Sequence, residues 1–186
     1  MSEPCNIAAV LPRLARERPD QIAIRCPGKP GPGGMARYDV TLSYRELDVR
    51  SDAIAAGLAA HGIGRGTRTV VMVRPSPEFF LLMFALFKAG AVPVLVDPGI
   101  DRRALRQCLD EAQPQAFIGI PLAQLARLLL GWAKSATRIV TVGTRWGWGG
   151  TTLARIERDG AGAGPQLADT APDEMAAVLF TSGSTG

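Results

Sequence analysis

From residue 69 to residue 142, short and continuously apolar runs rich in β-branched residues alternate with longer segments of helical period. Few folds accommodate that pattern. The runs Thr69–Val73, Val92–Val96, Ala116–Ile120 and Arg138–Val142 read as strands. They lack the apolar–polar alternation of a strand with one wet face. Strands apolar at every position are buried on both sides, as in parallel sheets covered by helices. The expected fold class is therefore α/β, a mostly parallel sheet with helices on both faces.

Local signals place the helices. Ser43 followed by Glu46 forms a capping box, and Leu47, Ile54 and Leu58 then recur on one helical face as far as His61, where Gly62 ends the run. Ser76 and Pro77 open a second helix, Glu78 to Ala89, apolar nearly all round. That helix is expected to be the most buried, with Phe80 to Leu86 lining a core. Asp101 caps a helix reaching Ala112, and further helices are predicted over Leu11–Arg18, Leu122–Trp132 and Leu153–Arg158. Gln21–Arg25 and Met175–Phe180 are strand candidates, while Pro27–Gly34 is a loop by its proline and glycine content. The stretch from Thr144 to Thr170 reads as glycine-rich loops around the short helix. Trp146 and Trp148 in it either pack onto the domain or form a docking feature.

Composition narrows the function classes. With 47% hydrophobic and 20% charged residues the chain is globular in character. Its formal charge of +4 is carried by dispersed arginines, among them Arg13, Arg45, Arg65 and Arg103. No basic block suited to nucleic acid is present. The most apolar stretch, Phe79 to Val96, is broken by Lys88, Gly90 and Pro93, so no transmembrane segment is expected. Cys5, Cys26 and Cys108 match no metal-ligand spacing and read as free thiols, Cys108 as an inert one on a half-buried helix. His61 is the single histidine and reads as a helix C-terminal residue, so no zinc or other metal ligand set is expected. Gly62, Gly64 and Gly66 link a helix to a strand, the wrong order for a dinucleotide fingerprint.

The chemistry concentrates at the end. After the apolar run Met175–Phe180 come Thr181, Ser182, Gly183, Ser184, Thr185 and Gly186. Two glycines allow a tight turn, successive backbone N–H groups form an anion-binding concavity, and four hydroxyls add neutral donors. A plain surface turn has similar composition. It is not the P-loop of other nucleotide-binding proteins, since it lacks that spacing and its lysine.

The run from Val178 to Gly186 resembles the phosphate-binding signature of the adenylate-forming (AMP-dependent synthetase/ligase) superfamily. Leu42–Leu47, Pro77–Phe80 and Lys88–Pro93 are similar to further family segments, so the resemblance covers Leu11 to Gly186. Within the superfamily, Val94–Asp101 and Phe117–Ala123 resemble the β-lactone synthetases of bacterial long-chain olefin biosynthesis.

The resemblance implies an N-terminal fragment of the large AMP-binding domain, residues 1–186, ending in the phosphate-binding loop. Thr181, Ser182, Gly183, Ser184, Thr185 and Gly186 would be the nucleotide-binding residues; catalytic residues are not implied. It implies ATP and Mg²⁺ as cofactors and a long-chain 2-alkyl-3-hydroxy acid as substrate, converted to a β-lactone with release of AMP and pyrophosphate. A long-chain fatty acyl-CoA or acyl-AMP ligase is the alternative, with a fatty acid as substrate. A non-catalytic α/β interaction fragment is a further one. Partners drawn from an olefin pathway and a cytoplasmic setting, with peripheral membrane contact as an option, belong to the same implication. The family's downstream lysine, adenine- and ribose-binding residues and small C-terminal domain are absent from the sequence as it stands, so the chain alone is expected to be inactive.

Overall fold

A computed structural model of the protein describes residues 5–28, 31, 33, 35–97 and 99–181. Its strands are β1 (Ile22–Cys26), β2 (Val40–Ser43), β3 (Arg68–Met72), β4 (Val92–Val96), β5 (Ala116–Gly119), β6 (Arg138–Thr141), β7 (Thr151–Thr152) and β8 (Val178–Phe180). Its helices are α1 (Val10–Glu17), α2 (Tyr44–Ala60), α3 (Pro77–Lys88), α4 (Arg102–Ala112), α5 (Pro121–Leu130) and α6 (Leu153–Asp159). Strands β3 to β8 form one six-stranded sheet in the order β7-β6-β5-β3-β4-β8, and every pair in it is parallel. Strands β1 and β2 make a separate antiparallel ribbon.

Both faces of the sheet are covered, which is why its strands carry no polar face. Val71, Ala116, Ile118 and Val140 point into a core with Leu11 of α1, Ile54 and Leu58 of α2, Leu82 and Leu86 of α3, and Ile156 of α6. Their neighbours Val70, Val94, Phe117 and Ile139 point the other way, toward Leu109 of α4 and Ala123 of α5. A buried strand whose residues alternate between two apolar cores reads in sequence as an unbroken apolar run.

The caps lie where the sequence puts them. The Ser43 N–H donates to Glu46 Oε2 at 2.8 Å, and the Glu46 N–H donates to Ser43 Oγ at 3.2 Å. Ser76 Oγ accepts from the Phe79 N–H at 3.3 Å with Pro77 in the first turn, and Asp101 Oδ1 accepts from the Arg103 N–H at 2.7 Å. His61 is the C-terminal cap of α2, and Gly62 follows with φ +79°. In α3, Leu81, Leu82, Ala85 and Leu86 are buried, as its apolar composition requires.

Several boundaries differ from expectation. Helix α5 begins at Pro121 and stops at Leu130, short of Trp132, because Gly131 takes a left-handed backbone, φ +65°. Strands β5 and β6 end one residue early, at Gly119 and Thr141, and β8 is confined to the last three residues of the expected run. Strand β2 was not expected from its short pattern. Val40 and Thr41 are exposed, and pairing with β1, Ile24 opposite Leu42, supplies the order. Strand β7 is a two-residue edge whose Thr151 lies opposite Val140. The expected Pro27–Gly34 loop lies partly outside the described residues.

The apolar helix α3 ends on a charge that the pattern did not explain. Lys88 is buried, and its Nζ lies 2.7 Å from Asp48 Oδ1, 2.7 Å from Asp52 Oδ1 and 3.0 Å from the Asp48 carbonyl oxygen. All three donors of the ammonium are thereby used. Asp48 and Asp52 stand one helical turn apart on α2, so one lysine fastens α3 to α2. Helix α6 then closes on α2 at Gly57, where an added Cβ would lie 2.1 Å from the Ile156 carbonyl oxygen. Arg50 on α2 and Glu157 on α6 add an ion pair, Nε to Oε1 2.6 Å, at the margin of this contact.

Candidate functional site

A parallel sheet delivers all its strands' carboxyl ends to one edge, and ligands bind there where adjacent connections leave for opposite faces. Strand β3 exits at that edge toward α3, in the first core. Its neighbours β4 and β5 exit toward α4 and α5, against the second. The chain therefore splits on either side of β3. Strand β8 lies beside β4, with Val94, Leu95 and Val96 opposite Val178, Leu179 and Phe180. Thr181 leaves β8 at this same edge, about two strand spacings, or roughly 9.6 Å, from β3.

The end of β8 is held by β4's own turn. The Asp97 N–H donates to the Phe180 carbonyl oxygen at 3.0 Å. Asp97 then folds its chain back: its Oδ1 accepts from the Gly99 N–H at 2.8 Å and its carbonyl oxygen accepts from the Ile100 N–H at 3.1 Å. Val178 and Phe180 pack against the second core, whereas Leu179 points to the other face and is 64% exposed. Of the six residues singled out for phosphate binding, Thr181 is described, exposed and directly after Phe180. Ser182, Gly183, Ser184, Thr185 and Gly186 lie outside the described residues.

Other candidates fall elsewhere. Trp148 packs onto the domain, its indole N–H donating to Thr141 Oγ1 at 2.9 Å, while Trp146 leans on it at 5.7 Å between ring centroids and is 62% exposed. The pair sits past the end of β6, near the opposite end of the strand order from β8. Cys26 and Cys108 form no disulfide, and burial raises the thiol pKa of both, which disfavours the thiolate. Among the described residues no cluster of histidine, cysteine and carboxylate side chains is fit to hold a metal ion. Also among the described residues, no helix is long and apolar enough to cross a membrane.

The polar contacts that sequence reasoning missed lie at the amino edge, beneath the segment that leads from α6 into β8. They are Lys88 with Asp48 and Asp52, Asn6, and Arg65 with Glu174. Their sequence signal was slight: a lysine closing an otherwise apolar helix, and aspartates four apart on a neighbouring one.

With a wholly parallel sheet, a split in its connections on either side of β3 and Thr181 leaving β8 at the same carboxyl edge, the class defined is an α/β domain with a ligand-binding edge. Residues 11–186 match the family model described as AMP-binding enzyme. The chain belongs to that family, and with membership comes the expectation of ATP and Mg²⁺ use. It is 84% identical over 186 residues to an olefin beta-lactone synthetase of Xanthomonas campestris pv. campestris. It is 79% identical over 187 residues to one of Stenotrophomonas maltophilia. In both cases all of this chain is covered but 34% of the relative, so the chain spans about a third of the length of the curated relatives it matches. A long-chain-fatty-acid-CoA ligase from Archaeoglobus fulgidus superposes with a TM-score of 0.79 at 17% identity, covering 100% of this chain and 36% of that one. That likeness confirms the fold.

Proposed function

We propose that this chain is the first portion of the large domain of an ATP-dependent acyl-adenylating ligase, one that converts long-chain 2-alkyl-3-hydroxy acids to β-lactones. One observation carries the reading: Thr181 leaves the parallel strand β8 at the carboxyl edge of the sheet, and the sequence continues from it with serine, glycine and threonine alone. The identity to two olefin beta-lactone synthetases supports the choice of substrate and product.

In this reading the substrate carboxylate attacks the α-phosphorus of ATP, pyrophosphate leaves, and the acyl group is activated as its adenylate. The 3-hydroxyl oxygen then attacks the acyl carbon, the proton passes to solvent, and AMP leaves as the four-membered lactone closes. Residues 181–186 hold the β- and γ-phosphates so that the leaving group lies in line, a positional and electrostatic task. Mg²⁺ supplies neutralisation of the phosphate charge. Glycines at 183 and 186 let the backbone approach the phosphates, and the hydroxyls of Thr181, Ser182, Ser184 and Thr185 donate to them. The setting proposed is the cytoplasm, where thiols such as those of Cys26 and Cys108 persist.

The test is a full-length hybrid in which this chain replaces the matching 186 residues of the Xanthomonas protein. With a 2-alkyl-3-hydroxy acid it is expected to support ATP–pyrophosphate exchange and to release AMP with a β-lactone. Acyl-CoA formation from a simple fatty acid, with no lactone, would favour a fatty acyl-CoA ligase instead. A hybrid that folds and gives no exchange with any acid would contradict the reading altogether.

A further inference from the structure

We propose that the segment from Gly164 to Glu174 is a strap that sets the register of β8, and that Lys88 is the positioning residue at its main anchor. The strap crosses the amino edge of the sheet between α6 and β8. Several of its hydrogen bonds run to groups held elsewhere. The Gln166 N–H donates to Asp52 Oδ1 at 3.0 Å, the same oxygen that accepts from Lys88 Nζ. Two residues on, the Ala168 N–H donates to the Lys88 carbonyl oxygen at 2.7 Å. From the other side, Asn6 Nδ2 donates to the Ala168 carbonyl oxygen at 3.0 Å and to the Phe87 carbonyl oxygen at 2.8 Å. Near the strap's end Glu174 accepts from both the Nε and a terminal nitrogen of Arg65, and its Oε1 accepts from the Ala171 N–H at 2.8 Å. Arg65 stands in the turn before β3, so the strap is fastened to the amino ends of β3 and of the α3–β4 connection.

Strand β8 needs such a device. Three residues of it pair, and among the described residues they pair with β4 alone. A slip of two residues would leave the same side chains facing the second core, so burial penalises it weakly, yet it would carry everything after Phe180 about 6.6 Å along the sheet. Hydrogen bonds to phosphate tolerate a few tenths of an ångström. The strap resists that slip because Ala168 is clasped at both its N–H and its carbonyl oxygen, and the ten residues from there to Val178 are pinned again at Glu174. Lys88 acts twice, through its own carbonyl oxygen and through the Asp52 carboxylate that its ammonium orients. The hold on β8 stands on geometry alone, whereas its consequence for ATP rests on the function proposed above.

The experiment is hydrogen exchange and steady-state kinetics on the full-length hybrid carrying Lys88→Met, Asn6→Asp or Glu174→Gln. Asn6→Asp keeps the oxygen that accepts from the Ala8 N–H and removes the donors to the strap, and Glu174→Gln keeps the shape; both leave the α2–α3 lysine cluster intact, so the test survives if Lys88→Met does not fold. In Asn6→Asp and Glu174→Gln the amides of Leu179, Phe180 and Asp97 are expected to exchange about tenfold faster or more, while those of Val70, Ile118 and Ile139 keep their protection; in Lys88→Met, which lowers global stability as well, the β8 amides are expected to accelerate more than those of the core. Turnover with ATP is expected to fall about 100-fold in Lys88→Met, with KM for the acid unchanged. Equally faster exchange of core and β8 amides in Asn6→Asp and Glu174→Gln would reduce these residues to general stability and overturn the proposal; unchanged β8 exchange would overturn it too. Faster β8 exchange with unaltered turnover would refute the link to the loop. If the unmodified hybrid shows no ATP–pyrophosphate exchange, the functional reading fails, and the β8 amides still decide the strap.

Discussion

The Lys88 ammonium lies 2.7 Å from Asp52 Oδ1 with its side chain fully buried, and Asp48 receives the same nitrogen at the same distance. The first prediction follows from that shared nitrogen. Lys88→Met fits the space but leaves carboxylates one turn apart without the ammonium between them. Breaking a buried ion pair by removing one partner costs about 3–5 kcal/mol. Urea denaturation is expected to show a loss of that order with an unchanged m-value. A loss below about 1 kcal/mol would mean that the aspartates find water easily and that the cluster is loosely packed.

Leu82 tests the first core. Its side chain is wholly buried between α3 and the sheet, in contact with the cluster that includes Leu58 and Ile118. Leu82→Ala is expected to cost about 2–5 kcal/mol. Leu82→Asp would bury an unpaired carboxylate and is expected to abolish soluble folding. A soluble Leu82→Asp protein with native circular dichroism would contradict the placement of α3.

At Gly57 the expected outcome runs against helix propensity. Alanine in a helix interior gains about 1 kcal/mol over glycine. Here the new methyl would lie 2.1 Å from the Ile156 carbonyl oxygen, and backbone cannot yield as a side-chain tip can. Gly57→Ala is therefore expected to lower the denaturation midpoint, with α6 amides losing protection first. A raised midpoint would show that α6 does not sit this close to α2.

The acid limb of stability gives a fourth test. The Arg65 side chain, and next the Ala171 N–H, hold the Glu174 carboxyl at about 2, below its ordinary 4.5. A depressed carboxylate contributes fully above its unfolded pKa and loses that contribution as pH falls through the folded one. The midpoints of the native chain and of Glu174→Gln are thus expected to differ above pH 4.5 and to converge as the pH approaches 2. The pair is exposed, so added salt is expected to shrink the difference. Parallel curves over that range would show Glu174 to be unpaired.

Much of this was legible in the sequence, for identifiable reasons. Strands such as Val92–Val96 were readable because burial on both faces leaves no polar position to blur the run. The starts of α2, α3 and α4 were readable because Ser43, Ser76 and Asp101 signal locally, through bonds that span two or three residues. What escaped was non-local. Strand β2 exists through β1, and the order β3-β4-β8 depends on a chain that returns across the sheet after α6. The strap contacts join residues such as Asn6 and Ala168, 162 positions apart, and no local pattern encodes such a pair. At the candidate site, the composition of residues 181–186 was plain in the sequence, and the place of Thr181 at the carboxyl edge, next to β4, needed the topology.

The phosphate-binding role proposed for residues 181–186 is the central claim, and steady-state adenylation kinetics on the full-length hybrid with Thr185→Ala and Gly183→Ala test it most directly. A hydrogen bond to a charged oxygen contributes about 1.5–3 kcal/mol, and about 1.4 kcal/mol is tenfold in rate, so Thr185→Ala is expected to lower turnover roughly 10- to 100-fold. Gly183→Ala is expected to be worse, because a side chain there crowds the backbone approach to phosphate. Turnover is expected to fall along with ATP affinity, since contacts that align the leaving group tighten toward the transition state. Turnover and ATP affinity that stay unchanged in both variants would contradict the assignment and leave residues 181–186 as a surface turn.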